Sequence, residues 1–367
     1  MAYRLGFVME QTLGHVTHTQ NLRHWVEKDP EVVPTWIPVR FYTPDHWNKA
    51  PLVRHNWTLR ASLRARAQVQ AVLRSERLDG LFFHTQVTAL FAQRLMATIP
   101  TVVSMDATPL NFDSIGVPYN HRPSVLRPVE SLKNALNRRT FNRARRLITW
   151  HEWGKRSLVD DYSVDGDKVE VVPPGIDLER WKFPRSLASP DAPVRLLFVG
   201  GDFRRKGGEI MLAAFRRDLV AHCHLDIVTR EDVDAAGLTN VTIHRGLDPN
   251  AEGLMALYAR ADIFIFPTFA DTLPLVLMEA MASGLPVVTT NVGALTEEVE
   301  DGVTGFLVPP GDVDALAGAT LRLVGSPALR HEMGAAGRRR ADRLFNGACN
   351  YPHLLNVCKS CIDAGPS

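Results

Sequence analysis

The chain has 367 residues, 45% of them hydrophobic, and 42 Lys and Arg against 40 Asp and Glu give a formal net charge of +2. That length suits two domains of about 150 to 200 residues, and the apolar share is enough for two buried cores. The near-balance of charge and the lack of a recognition motif argue against nucleic-acid binding, and Cys223, Cys349, Cys358 and Cys361 are too few and too uneven for a disulfide framework.

The opening MAYRLGFVMEQTLGH has an apolar run too brief for a signal peptide, and no run of 18 apolar residues follows, so a cytoplasmic location is expected. A strand at 4–9 leads to Gly14 and a helix over 17–26, and a strand at 34–41 precedes a long helix over 59–77. Strands at 80–84, 101–105 and 147–149 complete the first half. FPRSLASPDAP, at 183–193, is a linker by its Pro and small polar residues. The second half repeats the alternation, with strands at 196–199, 225–229, 241–244, 262–266, 286–289 and 306–308. Strands alternating with helices imply parallel sheets in an α/β chain, with domains at 1–182 and 194–345 and a last segment at 346–367.

Two turns in the second half suit anions. In VRLLFVGGDFRRKGG a buried strand ends in a glycine-rich turn that delivers Arg204, Arg205 and Lys206 just before a helix over 209–216. A planar guanidinium and a mobile ammonium beside backbone N–H groups can each neutralise a different diphosphate oxygen. In FPTFADTLPLVLMEAMASG a strand stops at Pro267 and a helix starts near Pro274, with Asp271 on the approach and Glu279 about one turn further in. The positive end of such a helix holds phosphate, and Glu279 can accept from ribose hydroxyls while Asp271 faces a sugar. Taken alone, Asp271 could equally cap the helix and Glu279 be a solvated helix residue, and RRK could be a solvated basic turn.

The strand-turn LLFVGGDFRRKGG, the block ALYARADIFIFPTFADTLPLVLMEAMASGLPVVTTNVGALTEEVEDGVTGFLVPPGD and the segment VEVVPPGIDLERW resemble the retaining glycosyltransferases of family 4 over nearly the whole length. The resemblance implies a GT-B fold of two facing Rossmann-like domains, the first on the acceptor side and the second on the side of a nucleoside-diphosphate sugar donor. It also implies that 346–367 returns to the first domain. Asp271, Arg205 and Lys206 become the catalytic candidates, and Gly14, Glu279, Thr272, Leu273 and Leu275 the donor-binding ones. No metal or other cofactor is required. The family carries two glutamates and a Gly-Phe-Gly-like run where this chain has Asp271 and Thr272-Leu273-Pro274, so the donor cradle differs in detail. The cation that the family places directly after the glycine is supplied by Arg205 or Arg204, with Arg205 preferred.

The resemblance implies a glycan, lipid-linked or small-molecule hydroxyl as acceptor, with His15, His84, Asp106 and His151, at or after strand ends, as candidate contacts. Glu297 matches an acid frequent in the family, with a structural role the more plausible one. Eight Lys or Arg but one acid, Glu130, occur over 122–146, with apolar residues at roughly helical spacing. That pattern fits either peripheral contact with anionic lipid or an ordinary surface helix. Cys358-Lys-Ser-Cys361 has metal-like spacing but matches no usual zinc pattern. Transfer of a sugar with retention is the expected activity, with a nucleotide-sugar epimerase or phosphorylase, or a non-catalytic nucleotide-sugar-binding partner protein, as alternatives. Paired carboxylates also occur in glycoside hydrolases, but the phosphate-binding setting argues against that chemistry.

Overall fold

The computed structural model describes residues 2–12, 14–43, 56–184 and 192–365. The chain forms two compact units, one of residues 1–114, 122–175 and 347–367, the other of 115–121 and 176–346. Passage from the first to the second therefore falls at Gly175–Ile176, upstream of the expected linker at 183–193, of which 185–191 lies outside the described residues. Residues 176–182 are held in the second unit by Trp181, which is buried edge-on against Tyr258 with ring centroids 5.0 Å apart.

The first unit is a six-stranded parallel sheet in the order β2-β1-β3-β4-β5-β6. Its strands are β1 (Tyr3–Glu10), β2 (Val32–Val39), β3 (Gly80–His84), β4 (Thr101–Met105), β5 (Arg146–Thr149) and β6 (Val169–Val171). Both faces are covered, which explains the near-continuous apolar runs. Alternate residues divide between two cores. Val8, Val39, Phe83 and Val103 meet α2 (Trp57–Val72) through Ala61, Ala65 and Val69, and this core also takes Phe141 of α3 (Arg127–Arg143) and Leu158 of α4 (Glu152–Asp160). Leu5, Phe7, Phe82, Val102 and Ile148 meet α1 (His15–Val26) through Leu22 and Val26. Strand β6 was not expected from sequence, because VEV is too short to register as a periodic run. The helix expected over 59–77 ends earlier, and Asn56 caps it by accepting from the backbone N–H of Leu59 at 3.1 Å.

The second unit is also a six-stranded parallel sheet, in the order β12-β11-β10-β7-β8-β9. Strands β7 (Val194–Val199), β8 (Cys223–Val228), β9 (Val241–His244), β10 (Ile263–Phe266), β11 (Val287–Thr290) and β12 (Gly305–Val308) alternate with helices. Among the helices are α5 (Gly208–Ala214), α6 (Glu252–Arg260), α7 (Leu275–Ala282), α8 (Val313–Val324) and α9 (Pro327–Leu344). Numbered within the unit, this is the 3-2-1-4-5-6 order of doubly wound dinucleotide-binding sheets, and strand order reverses between β7 and β10. In the first sheet the reversal falls between β1 and β3. Ligands of open α/β sheets collect outside the carboxyl ends of strands at such reversals.

The last helix, α10 (Gly347–Asp363), belongs to the first unit, where Tyr351, Leu354, Leu355, Cys358 and Cys361 enter the core shared with α1. The two cysteines of the CxxC are thus packing residues, and burial pushes the Cys361 thiol up to about 11. Among the described residues no cluster of His, Cys, Asp or Glu has metal-binding geometry, and no helix is long and apolar enough to cross a membrane.

Candidate functional site

At the reversal in the second sheet, β7 ends in Gly200-Gly201 and β10 runs into Pro267, so the two following loops lie side by side. They are joined where the backbone N–H of Phe269 donates to the Arg205 carbonyl at 2.9 Å. Gly207 makes the close approach possible. Its φ is +78°, and a Cβ there would stand 1.9 Å from the Pro267 carbonyl oxygen. No side chain fits that space.

The junction orders Arg205 and Lys206. Arg205 is buried, its Nε donates to Asp202 at 2.8 Å and its Nη1 to the Ala270 carbonyl at 2.9 Å, and its guanidinium lies 4.2 Å over the Tyr119 ring. Arg204 instead pairs with Glu209 at the surface. Lys206 Nζ is bound to an Asp271 carboxylate oxygen. Burial lowers the Lys206 ammonium from its ordinary value, and Asp271 opposes that shift while Arg205 adds to it. Asp271 is buried and engaged with lysine, and Pro274 is the N-cap residue of α7, with no side-chain cap, so Asp271 is not the helix cap. Thr272, Leu273 and Pro274 are buried between Asp271 and α7, and Leu275 opens the helix. The next loop wraps the same spot: at Gly293, φ +56°, a Cβ would meet the Asp271 carbonyl oxygen at 2.2 Å.

Glu279 is no solvated helix residue. It is 3% exposed, and its Oε2 accepts from the Tyr258 hydroxyl of α6 at 2.9 Å. Burial pushes its carboxyl up to about 8, with the Tyr258 hydroxyl pulling the other way. Behind Asp271 lies Glu298, fully buried, with neither carboxylate oxygen hydrogen-bonded among the described residues. It is held well above the carboxylate range by burial first and by Asp271 second. The sequence drew attention to its neighbour Glu297, which is half-buried.

A second cluster occupies the reversal in the first sheet. Glu10 ends β1 and is 6% exposed, one oxygen accepting from the Thr12 hydroxyl and the other from Thr85 at 2.6 Å. His15, the first residue of α1, brings Nδ1 to 3.0 Å from Nε2 of His84 at the end of β3. Its Nε2 lies 3.7 Å from Glu10 and 3.9 Å from Asp106, which follows β4. His84 stacks on Trp150 with centroids 5.4 Å apart, and burial holds its imidazole well below the ordinary value. His18, one helical turn after His15, is buried, and desolvation lowers it to about 3. Gly14 precedes α1, and a Cβ there would meet nothing within 4 Å, so the helix start is open.

His151 is a correction. Expected as an acceptor contact, it is instead 2% exposed and caps α4, its Nδ1 accepting from the Gly154 N–H at 2.9 Å and its Nε2 donating to the Asp106 carbonyl at 2.5 Å. Both ring nitrogens are committed to backbone.

Two family models match the chain: glycosyl transferases group 1 over residues 193–326, and glycosyltransferase family 4 over residues 22–180. A D-inositol 3-phosphate glycosyltransferase of Arthrobacter sp. (strain FB24) is 32% identical over 224 residues, which cover 56% of this chain and 53% of that protein. The chain spans about half the length of the curated relatives it matches. Sucrose-phosphate synthase of Thermosynechococcus elongatus superposes with a TM-score of 0.79 at 19% identity, over 99% of this chain and 100% of that one. HepE of Anabaena, solved in complex with UDP-glucose, superposes with a TM-score of 0.69 at 16% identity, over 97% and 99%. At those identities the likeness is one of fold, and the fold is GT-B. The first half of the chain thus matches one glycosyltransferase model and the second half another.

Proposed function

We propose that this chain is a retaining, metal-independent glycosyltransferase that moves a sugar from a nucleoside diphosphate to an acceptor hydroxyl. The observation that carries this reading is the convergence of Arg205, Lys206 and Asp271 at the β7/β10 reversal, ahead of the α7 N-terminus. Arg205 and Lys206 neutralise the leaving diphosphate as charge builds on it, a preorganised electrostatic contribution. Thr272, Leu273 and Leu275 present the backbone at the helix head, Gly14 leaves room at the head of α1, and Glu279 faces the ribose. Asp271 orients the donor sugar. The bond from the anomeric carbon to the phosphate oxygen breaks, the acceptor oxygen bonds on the same face, and its proton passes to the departing phosphate. His15, His84 and Asp106 stand on the acceptor side. The UDP-glucose complex of HepE supports a sugar nucleotide as donor.

The test is incubation with a panel of UDP- and GDP-sugars, with and without cell extract, following nucleotide release by mass spectrometry. Extract-dependent release of nucleoside diphosphate is expected. Isomerised donor would replace the reading with an epimerase, and binding without turnover with a non-catalytic partner.

A peripheral membrane contact is part of the same reading. Val125, Leu126, Val129 and Leu132 are exposed among the exposed Arg122, Arg127, Arg138 and Arg139, at and before the start of α3 and along it. Apolar side chains ringed by cations suit an anionic lipid surface. Co-sedimentation with vesicles containing phosphatidylglycerol at low and high salt tests it, with binding expected at low salt; no binding at either salt removes the contact.

A further inference from the structure

The cluster at the β1/β3 reversal bears on the choice of acceptor. His15 and Asp106 are the part-exposed members, with 15% and 20% of their side chains accessible, and the groups behind His15 are fixed. His84 holds its Nδ1 at 3.0 Å, Trp150 backs His84, and Glu10 is locked by Thr12 and Thr85. Its Nε2 therefore points at a spot bordered by two carboxylates, Glu10 at 3.7 Å and Asp106 at 3.9 Å.

Resting on the transferase reading, we propose that this spot binds a neutral polyol through paired hydroxyls and that Glu10 and Asp106 discriminate against a phosphorylated acceptor. A hydroxyl has both functions the site asks for, since it donates to a carboxylate and accepts from an imidazole N–H. A phosphate brings negative charge to a spot bordered by two carboxyl groups. A like charge nearby disfavours an ionised group, and about one pKa unit of such disfavour corresponds to about tenfold in phosphate binding. The arrangement is built into the fold, because parallel pairing of β1 with β3 puts Met9 opposite His84 and so brings Glu10 beside Thr85. Glu10 and Asp106 act as specificity-determining residues, while His84 positions His15.

The experiment follows the His15 and His84 ring resonances of the full chain by NMR during titration with myo-inositol, with D-myo-inositol 3-phosphate and with inorganic phosphate. In the wild type, myo-inositol moves the His15 resonances and the two phosphates do so at least about tenfold more weakly. Asp106→Asn, a change at a partly exposed position that spares the Glu10 hydrogen bonds, narrows that ratio, and Glu10→Gln narrows it further. Tighter binding of either phosphate to the wild type, or no movement by any of the three, overturns the proposal. Binding of UDP, measured separately by calorimetry, keeps the two readings apart: its loss with polyol binding intact would count against the transferase reading alone.

Discussion

Lys206 and Asp271, 65 residues apart in sequence, form a direct ion pair at the carboxyl ends of β7 and β10. The ammonium and the carboxylate neutralise each other, so a donor diphosphate must draw Lys206 away from Asp271 or share it. Asp271→Asn should therefore leave or raise the affinity for free nucleoside diphosphate while slowing transfer by on the order of a hundredfold. Lys206→Ala should weaken nucleotide binding by about ten- to a hundredfold, the loss of one charge-assisted hydrogen bond. Calorimetry with UDP and GDP, set beside turnover, checks both. Equal losses of binding in the two variants would show that Asp271 serves only to hold the lysine.

Gly207 and Gly14 make a matched pair for stability. Gly207→Ala forces a left-handed φ on an L-residue and drives its Cβ into the Pro267 carbonyl, so it should cost more than about 1 kcal/mol and loosen the Arg205 turn. Gly14→Ala meets open space at φ −64° and should be neutral or slightly stabilising. Thermal denaturation of the two variants is the measurement.

Glu298 gives a pH signature. Its folded carboxyl is held well above the ordinary value of 4.5, so the native state keeps a proton that the unfolded chain has lost. The associated stability is complete below about 4.5 and drains away as pH rises toward the raised folded value. Glu279 carries the same sign, with its folded value at about 8. Glutamine cannot ionise, so Glu298→Gln should match the wild type near pH 5 and exceed its melting temperature by roughly 2–4 °C at pH 8, for about 1 kcal/mol gained. A constant offset between the two proteins across that range would contradict the assignment.

His151→Ala removes the cap of α4 and should lower stability by about 0.5–2 kcal/mol. Polyol binding at His15 should stay within about twofold, since His151 faces the backbone of Asp106 and Gly154. A large loss of polyol affinity at unchanged stability would restore His151 to the acceptor side.

Eleven of the strands were legible as apolar runs bounded by turn residues, and the loops carrying Arg205, Lys206 and Asp271 stood out because glycine and proline punctuate them. What escaped depends on strand order. Nothing local says that β1 lies beside β3, so Glu10 passed for the end of a strand and the His15–His84 contact was invisible. Tyr258 sits on the helix before β10, 21 positions ahead of the carboxylate it meets. Glu298 lies in the run TEEVED, which reads as a solvated face, yet the loop after β11 turns it inward. His151 and His84 both end strand regions, and only the hydrogen bonds separate a helix cap from a member of the strand-end cluster.

The place of α10 bears on synthesis. The second unit, apart from 115–121, is drawn from the contiguous stretch 176–346, whereas the first needs Tyr351, Leu354, Leu355, Cys358 and Cys361 to close one side of its sheet. A chain emerging from the ribosome thus exposes Leu5, Phe7 and Phe82 until residues 347–363 are made. Of these two units the one encoded first is completed second, an inversion of the usual amino-to-carboxyl order of folding.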